Sequence, residues 1–115
     1  MQTPTIIHNG TPYDVDLDMF LYLSPLLQEL YYKNSYNRPM YITDGLSAPD
    51  FQNLVTSINN RNCINVINTN NTQEVFSFLQ TCLVYHIRQF IEDSCQFIIN
   101  HHKKYIINAL MLISQ

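Results

Sequence analysis

Nine consecutive residues, Tyr105 to Ile113, contain one amide, Asn108, and otherwise only apolar or aromatic side chains. A helix made from such a run is hydrophobic on most of its sides. In water it has to be covered by its own domain, by a second copy or by further chain. The run is too short and too interrupted to span a bilayer, so it is not read as a membrane anchor. Residues 103–115 are therefore expected to form a C-terminal apolar helix that is either a partner surface or the start of a following region. Ile106, Leu110 and Ile113 are its candidate contact residues.

The rest of the composition fits one folded unit. The chain has 115 residues, 46% of them hydrophobic, enough for a core and too many for a disordered segment. Charged residues make up only 13%, against about 25% in an ordinary domain. Neutral amides must therefore cover much of the surface, as in Asn59-Asn60 and Asn70-Asn71. Six Lys and Arg against nine Asp and Glu give a net charge of −3, with no basic stripe for a phosphate backbone. With Gly10 and Gly45 as the only glycines, no phosphate-cradling loop can be written. Met1 to Thr5 carries no basic residue and leads into no secretory core segment. Cys63, Cys82 and Cys95 are an odd set without disulfide-framework spacing. These readings predict a cytoplasmic or nuclear protein with reduced thiols, binding no nucleic acid and no membrane. The sequons at Asn9 and Asn70 are then read as coincidence.

Along the chain, Thr5-Ile6-Ile7 is a strand, Asn9-Gly10 a turn that tolerates positive φ, and Pro12 to Val15 the returning arm. Asp16 offers an N-cap for a helix over Leu17 to Leu23, with Asp18 adding charge in its first turn. Ser24-Pro25 restarts a helix, Ser at the cap and Pro where its missing N–H is harmless. Asn34 to Arg38 reads as a polar loop and Pro39 to Thr43 as a third strand. Behind the cap Ser47, the residues Phe51, Leu54, Val55 and Ile58 share one helical face. Cys63 to Ile67 reads as a short strand or extended link. Asn71 with Glu74 suggests a capping box. Val75, Phe76, Leu79, Cys82 and Leu83 would line the next helix. After a break near Tyr85-His86, the residues Ile87, Phe90, Ile91, Cys95 and Ile98 mark another. Lys103 to Ile113 would be the last. Few strands followed mostly by helices make an α+β domain.

Three sets of side chains invite chemical readings. Asp14, Asp16 and Asp18 resemble the start of a calcium loop, but its sixth and twelfth places hold Met19 and Pro25, where Gly and Glu are needed. A strand-to-helix passage with negative charge at the helix start explains all three. Cys82, His86 and Cys95, with His101 and His102, could be drawn together as metal ligands or as a thiol–imidazole pair. Their spacing matches no zinc motif, and both cysteines sit on apolar stripes where free Cys is usually buried. No catalytic residue, metal ligand or cofactor site is assigned. Tyr32, Tyr36 and Tyr41 bracket a polar loop, where an apolar ring can meet a partner while its hydroxyl stays wet. They are the second set of candidate contact residues.

The order of these pieces resembles the BTB/POZ family. The residues that carry the likeness are Tyr13-Asp14-Val15, then Phe20-Leu21-Tyr22-Leu23-Ser24-Pro25-Leu26-Leu27-Gln28-Glu29-Leu30. They continue with Met40-Tyr41-Ile42-Thr43-Asp44, Asp50 to Val55, and Phe78-Leu79-Gln80 with Phe90 to Ile98 as a closing pair. The resemblance covers residues 5–101. It implies a small three-stranded sheet packed on a cluster of five or six helices, with residues 1–102 as the domain. It also implies a non-catalytic protein–protein interaction module that self-associates, as in a homodimer, or docks a protein partner as an adaptor. One form of that role is a cullin-type ubiquitin-ligase substrate adaptor. Members that bind a cullin often carry a hydrophobic-x-Glu sequence after the Ser-Pro helix, and Asn34-Ser35-Tyr36-Asn37 lacks it. A small metal-dependent or thiol enzyme using Cys82, His86 and Cys95 is the alternative of a different class.

Overall fold

The computed structural model describes residues 5–33, 39–69 and 72–114, including all their side chains except those of 68, 69, 72 and 102–109. The chain is α+β, a three-stranded sheet against helices. Strand β1 (Ile6–His8) lies between β2 (Thr11–Tyr13) and β3 (Met40–Ile42). It pairs antiparallel with β2, Ile6 opposite Tyr13, and parallel with β3, Ile6 opposite Met40. The hairpin turn puts Asn9 at φ 49° and Gly10 at φ 86°, the conformation that an Asn-Gly pair accommodates at least cost. Pro12 sits on an edge strand, where its lack of an N–H breaks no ladder. Alternation does the rest: Ile6, His8, Tyr13, Met40 and Ile42 face inward, and Tyr41 faces out.

Helix α1 (Leu17–Leu23) starts where expected, with Asp16 Oδ1 accepting the Met19 N–H at 3.1 Å. Helix α2 (Pro25–Lys33) starts at Ser24, whose Oγ accepts the Leu27 N–H at 3.1 Å. Helix α3 (Ala48–Asn59) is capped by Ser47 and buries Phe51, Leu54, Val55 and Ile58, the predicted face. Asn59 at its end reaches across to the β2–α1 passage. Its Oδ1 accepts the Asp16 N–H at 2.8 Å and its Nδ2 donates to the Asp14 carbonyl at 3.1 Å.

Four expectations need correcting. The segment Cys63 to Ile67 is no strand: α4 (Ile64–Thr69) is helical, and the Ile67 N–H bonds back to Cys63 O at 2.9 Å. Cys63, Val66 and Ile67 are buried at i, i+3 and i+4, so packing overrides the β-branched preference. In α5 (Thr72–Val84), Val75, Phe78 and Cys82 point inward, with Tyr85 continuing the face just past its end, while Phe76 and Leu83 are exposed. The two last helices are one: α6 (Arg88–Ile113) runs for 26 residues, about 39 Å, with no Gly or Pro to stop it. The division at 102/103 therefore falls inside a continuous helix. The predicted loop Asn34 to Arg38 and the capping role of Asn71 lie outside the described residues.

The core joins sheet and helices through Ile6, Phe20, Leu27, Phe51, Phe78 and Phe90. Helix α6 packs on α5, and the molecule measures 63 × 25 × 24 Å.

Candidate interaction surface

Helix α6 begins at a buried corner. Helix α5 ends with His86 in the left-handed region at φ 57°, its N–H bonded to Leu83 O at 3.2 Å and the Ile87 N–H to Cys82 O at 3.0 Å. This paired closure normally uses Gly, and in a chain with two glycines a His occupies the place. Ile87 follows it into the core. From there Phe90 and Ser94 hold the helix down, and the Phe97 ring stacks on His101 at 3.8 Å. His101 Nδ1 donates to the Phe97 carbonyl at 3.2 Å.

Beyond that anchored half the helix continues to Ile113, and its last residues are open to water. Leu110 is 59% exposed, Met111 61%, Leu112 73% and Ile113 80%. Leu110 and Ile113, both expected as contact residues, thus sit side by side on the exposed end. Ile106 belongs to the same helix, with its side chain outside the described ones. Tyr32 is exposed on α2 and Tyr41 on the edge strand β3. Tyr36 lies outside the described residues. The Tyr31 and Tyr32 rings meet edge-on at 6.1 Å. The tyrosine set and the α6 set therefore occupy different elements. Ile99 on α6 and Leu83 and Val84 at the end of α5 are further exposed apolar residues that the sequence reading missed. Their signal was present in the register: Ile99 lies opposite Phe90 and Phe97 at 100° per residue.

A buried polar cluster was also missed. His8 is buried with its ring stacked on Phe51 at 3.8 Å, and its Nε2 donates to Asp44 Oδ1 at 2.7 Å. Tyr85 Oη donates to Asp44 Oδ2 at 2.5 Å, and the Leu46 N–H donates to Oδ1 at 2.9 Å. Burial pushes the Asp44 carboxyl up. The bonds from Tyr85, Leu46 and His8, with the charge of His8, outweigh that and leave it below its ordinary value of 3.8. Burial first, then the bond and the charge of Asp44, push the Tyr85 phenol up. Asn9 closes the corner: its Oδ1 accepts the Asp44 N–H at 3.0 Å and its Nδ2 donates to Leu46 O at 3.2 Å. Its amide is thus engaged at both ends. The cluster ties the hairpin, the β3–α3 connection and the α5–α6 corner into one unit.

Among the described side chains, the cysteine and histidine set does not converge. Cys82 is buried while His86 points to solvent. Cys63 donates to Asp93 at 3.7 Å; burial and that carboxylate push its thiol up to about 12. Burial and the nearby Cys63 push Cys82 up as well. Such thiols are poor nucleophiles. Among the described residues no three His, Cys, Asp or Glu side chains are grouped as a metal ion would require. No helix among them is long and apolar enough to cross a membrane. Comparison with protein-family models, with curated proteins and with solved structures found no match to this chain.

Proposed function

We propose that this chain is a non-catalytic protein–protein interaction module of the BTB/POZ kind, acting by burial of the apolar end of α6 against a protein partner. The observation that carries the reading is the row Leu110 to Ile113, four large apolar side chains exposed on a helix whose base is locked into the core. Burying one such side chain is favourable by about 1.5–3 kcal/mol, so a partner covering several of them gains enough to associate. Residues from Tyr105 onward carry no charged side chain, which keeps the desolvation cost low. The family likeness is supported by the hairpin with β3 parallel to β1, by the Ser24-Pro25 junction between α1 and α2, and by the helices that follow. Such a module would work in the cytoplasm or nucleus, where its free cysteines stay reduced.

Self-association is the form to test. Sedimentation of the chain should show concentration-dependent species larger than a monomer. The double variant Leu110→Glu with Ile113→Glu should be monomeric with an unchanged thermal midpoint, since neither side chain supports the core. A native chain that is monomeric at every concentration, or a variant that associates as the native chain does, overturns the reading.

A further inference from the structure

We propose that Asn9 is a site of covalent self-modification: its side-chain amide is lost through attack by its own backbone, the folded corner holds the reaction off, and once complete it leaves that corner weakened. Both glycines of the chain follow a residue able to react in this way, in Asn9-Gly10 and Asp44-Gly45. In the reaction the Gly10 backbone nitrogen attacks Asn9 Cγ. The new N–Cγ bond closes a five-membered imide, and Nδ2 leaves as ammonia, taking the Gly10 amide proton with it. Water then opens the imide at one of its two carbonyls. The product is aspartate, or the iso form in which the backbone runs through the side-chain carbon. Water is the only co-reactant. A following glycine favours the step, because it has no side chain to hinder the approach and its backbone turns freely. Asn9 and Gly10 are both exposed, and apart from chain neighbours no described atom lies within 4 Å of where a Gly10 side chain would stand. Water and the attacking nitrogen are thus both at hand.

What stands against the reaction is the hold on the Asn9 amide. Oδ1 accepts the Asp44 N–H at 3.0 Å, and Nδ2, the nitrogen that has to leave, donates to the Leu46 carbonyl at 3.2 Å. The Asn9 N–H is tied to the Ile42 carbonyl at 2.9 Å. Closing the imide makes Cγ tetrahedral and swings it to the Gly10 nitrogen, so the two side-chain bonds have to open first. Their partners are held in turn by Asp44, whose Oδ1 accepts the Leu46 N–H at 2.9 Å and folds 44–46 into the turn that offers Asn9 both groups. His8 and Tyr85 grip the same carboxylate. After the reaction the donor to Leu46 O is gone. A carboxylate then faces that carbonyl, and a further negative charge stands at the corner that holds Asp44. The iso product also adds a backbone atom to the two-residue turn, which pulls the His8–Thr11 pair out of register. Modification is thus coupled to opening of the hairpin corner, slow while it is shut and lasting once it has occurred.

Peptide mapping by mass spectrometry, on the full chain incubated at mildly alkaline pH, reads the reaction at Asn9. The folded chain should deamidate there at least about tenfold more slowly than the same chain unfolded in guanidinium. Asp44→Ala frees the 44–46 turn and should raise the rate several-fold while circular dichroism still shows a folded chain. If that variant is unfolded, its rate should match the guanidinium value, and the native comparison decides. Asn9→Asp, the product made directly, should melt at a lower temperature than the native chain. The proposal is overturned by a folded chain that reacts at Asn9 as fast as the unfolded one. It is equally overturned by a folded Asp44→Ala that reacts no faster than the native chain, or by an Asn9→Asp chain as stable as the native one. None of these readouts involves α6, so their outcome is separate from that of the interaction reading.

Discussion

Tyr85 joins elements far apart in the chain. Its ring packs edge-on against Phe20 at 5.4 Å, its hydroxyl holds Asp44, and its carbonyl accepts Ser24 Oγ at 2.5 Å. The α1–α2 junction and the β3–α3 connection are therefore both held by one side chain and its own backbone. Replacing Tyr85 by Phe keeps the ring and removes only the donor to a carboxylate. A hydrogen bond to a charged group is worth about 1.5–3 kcal/mol, so Tyr85→Phe should lose about 2 kcal/mol in urea unfolding. It should also move the Asp44 carboxyl titration upward when followed by NMR, because the largest of its charge-favouring contacts is gone. An Asp44 titration identical to that of the native chain would show that the cluster does not act as drawn. The sequence hid this arrangement for a plain reason: His8, Asp44 and Tyr85 are 36 and 41 residues apart, and only the folded backbone brings them within bonding distance.

At the scale of elements, the capped helix starts were legible, as were the end of α1 at Leu23 and the break near Tyr85-His86, while the end placed before residue 103 was not. Asp16, Ser24 and Ser47 each cap the helix that follows, because a short polar side chain can bond only the N–H groups next to it. Helix ends depend on what lies beyond. The sequence divides a helix marked by Ile87 to Ile98 from a last one starting at residue 103, yet no Gly or Pro breaks the ladder between them, and α6 continues through. Segment α4 misled for the opposite reason, since its Ile and Val favour strands until the core claims Val66 and Ile67. Ser24 joins the local and tertiary levels: it caps α2 and donates to Tyr85 O from a fully buried position. Ser24→Ala removes the cap and leaves that carbonyl without its donor. The expected loss is about 2–3 kcal/mol by thermal or chemical unfolding, more than a surface cap would show.

For the whole molecule, the buried ionisable groups set a pH window. The Asp44 carboxyl lies below its ordinary value in the folded chain, so its contribution is present above about 3.8 and is lost as the pH falls through the folded value. Cys63, Cys82 and Tyr85 are all raised. Their contributions are complete below the ordinary thiol and phenol values of 9.0 and 10.0 and are lost as the pH rises past them. Stability should therefore be flat through neutrality and fall on both sides. Urea midpoints across pH would show it, with Asp44→Asn flattening the acid limb and Cys63→Ala part of the alkaline one.

Local chemistry alone settled the hairpin turn at Asn9-Gly10, the capped helix starts and the inward face of α3. Each depends on residues within one or two turns of each other, and their periodicity and capping groups are printed in the order of the chain. Tertiary structure alone decided that α6 is unbroken, that its last turn stands clear of the core, that Leu83 and Val84 face outward, and that His8, Asp44 and Tyr85 share one buried corner. Those outcomes follow from which surfaces meet across long separations, where competing burial outweighs the preference of any single segment.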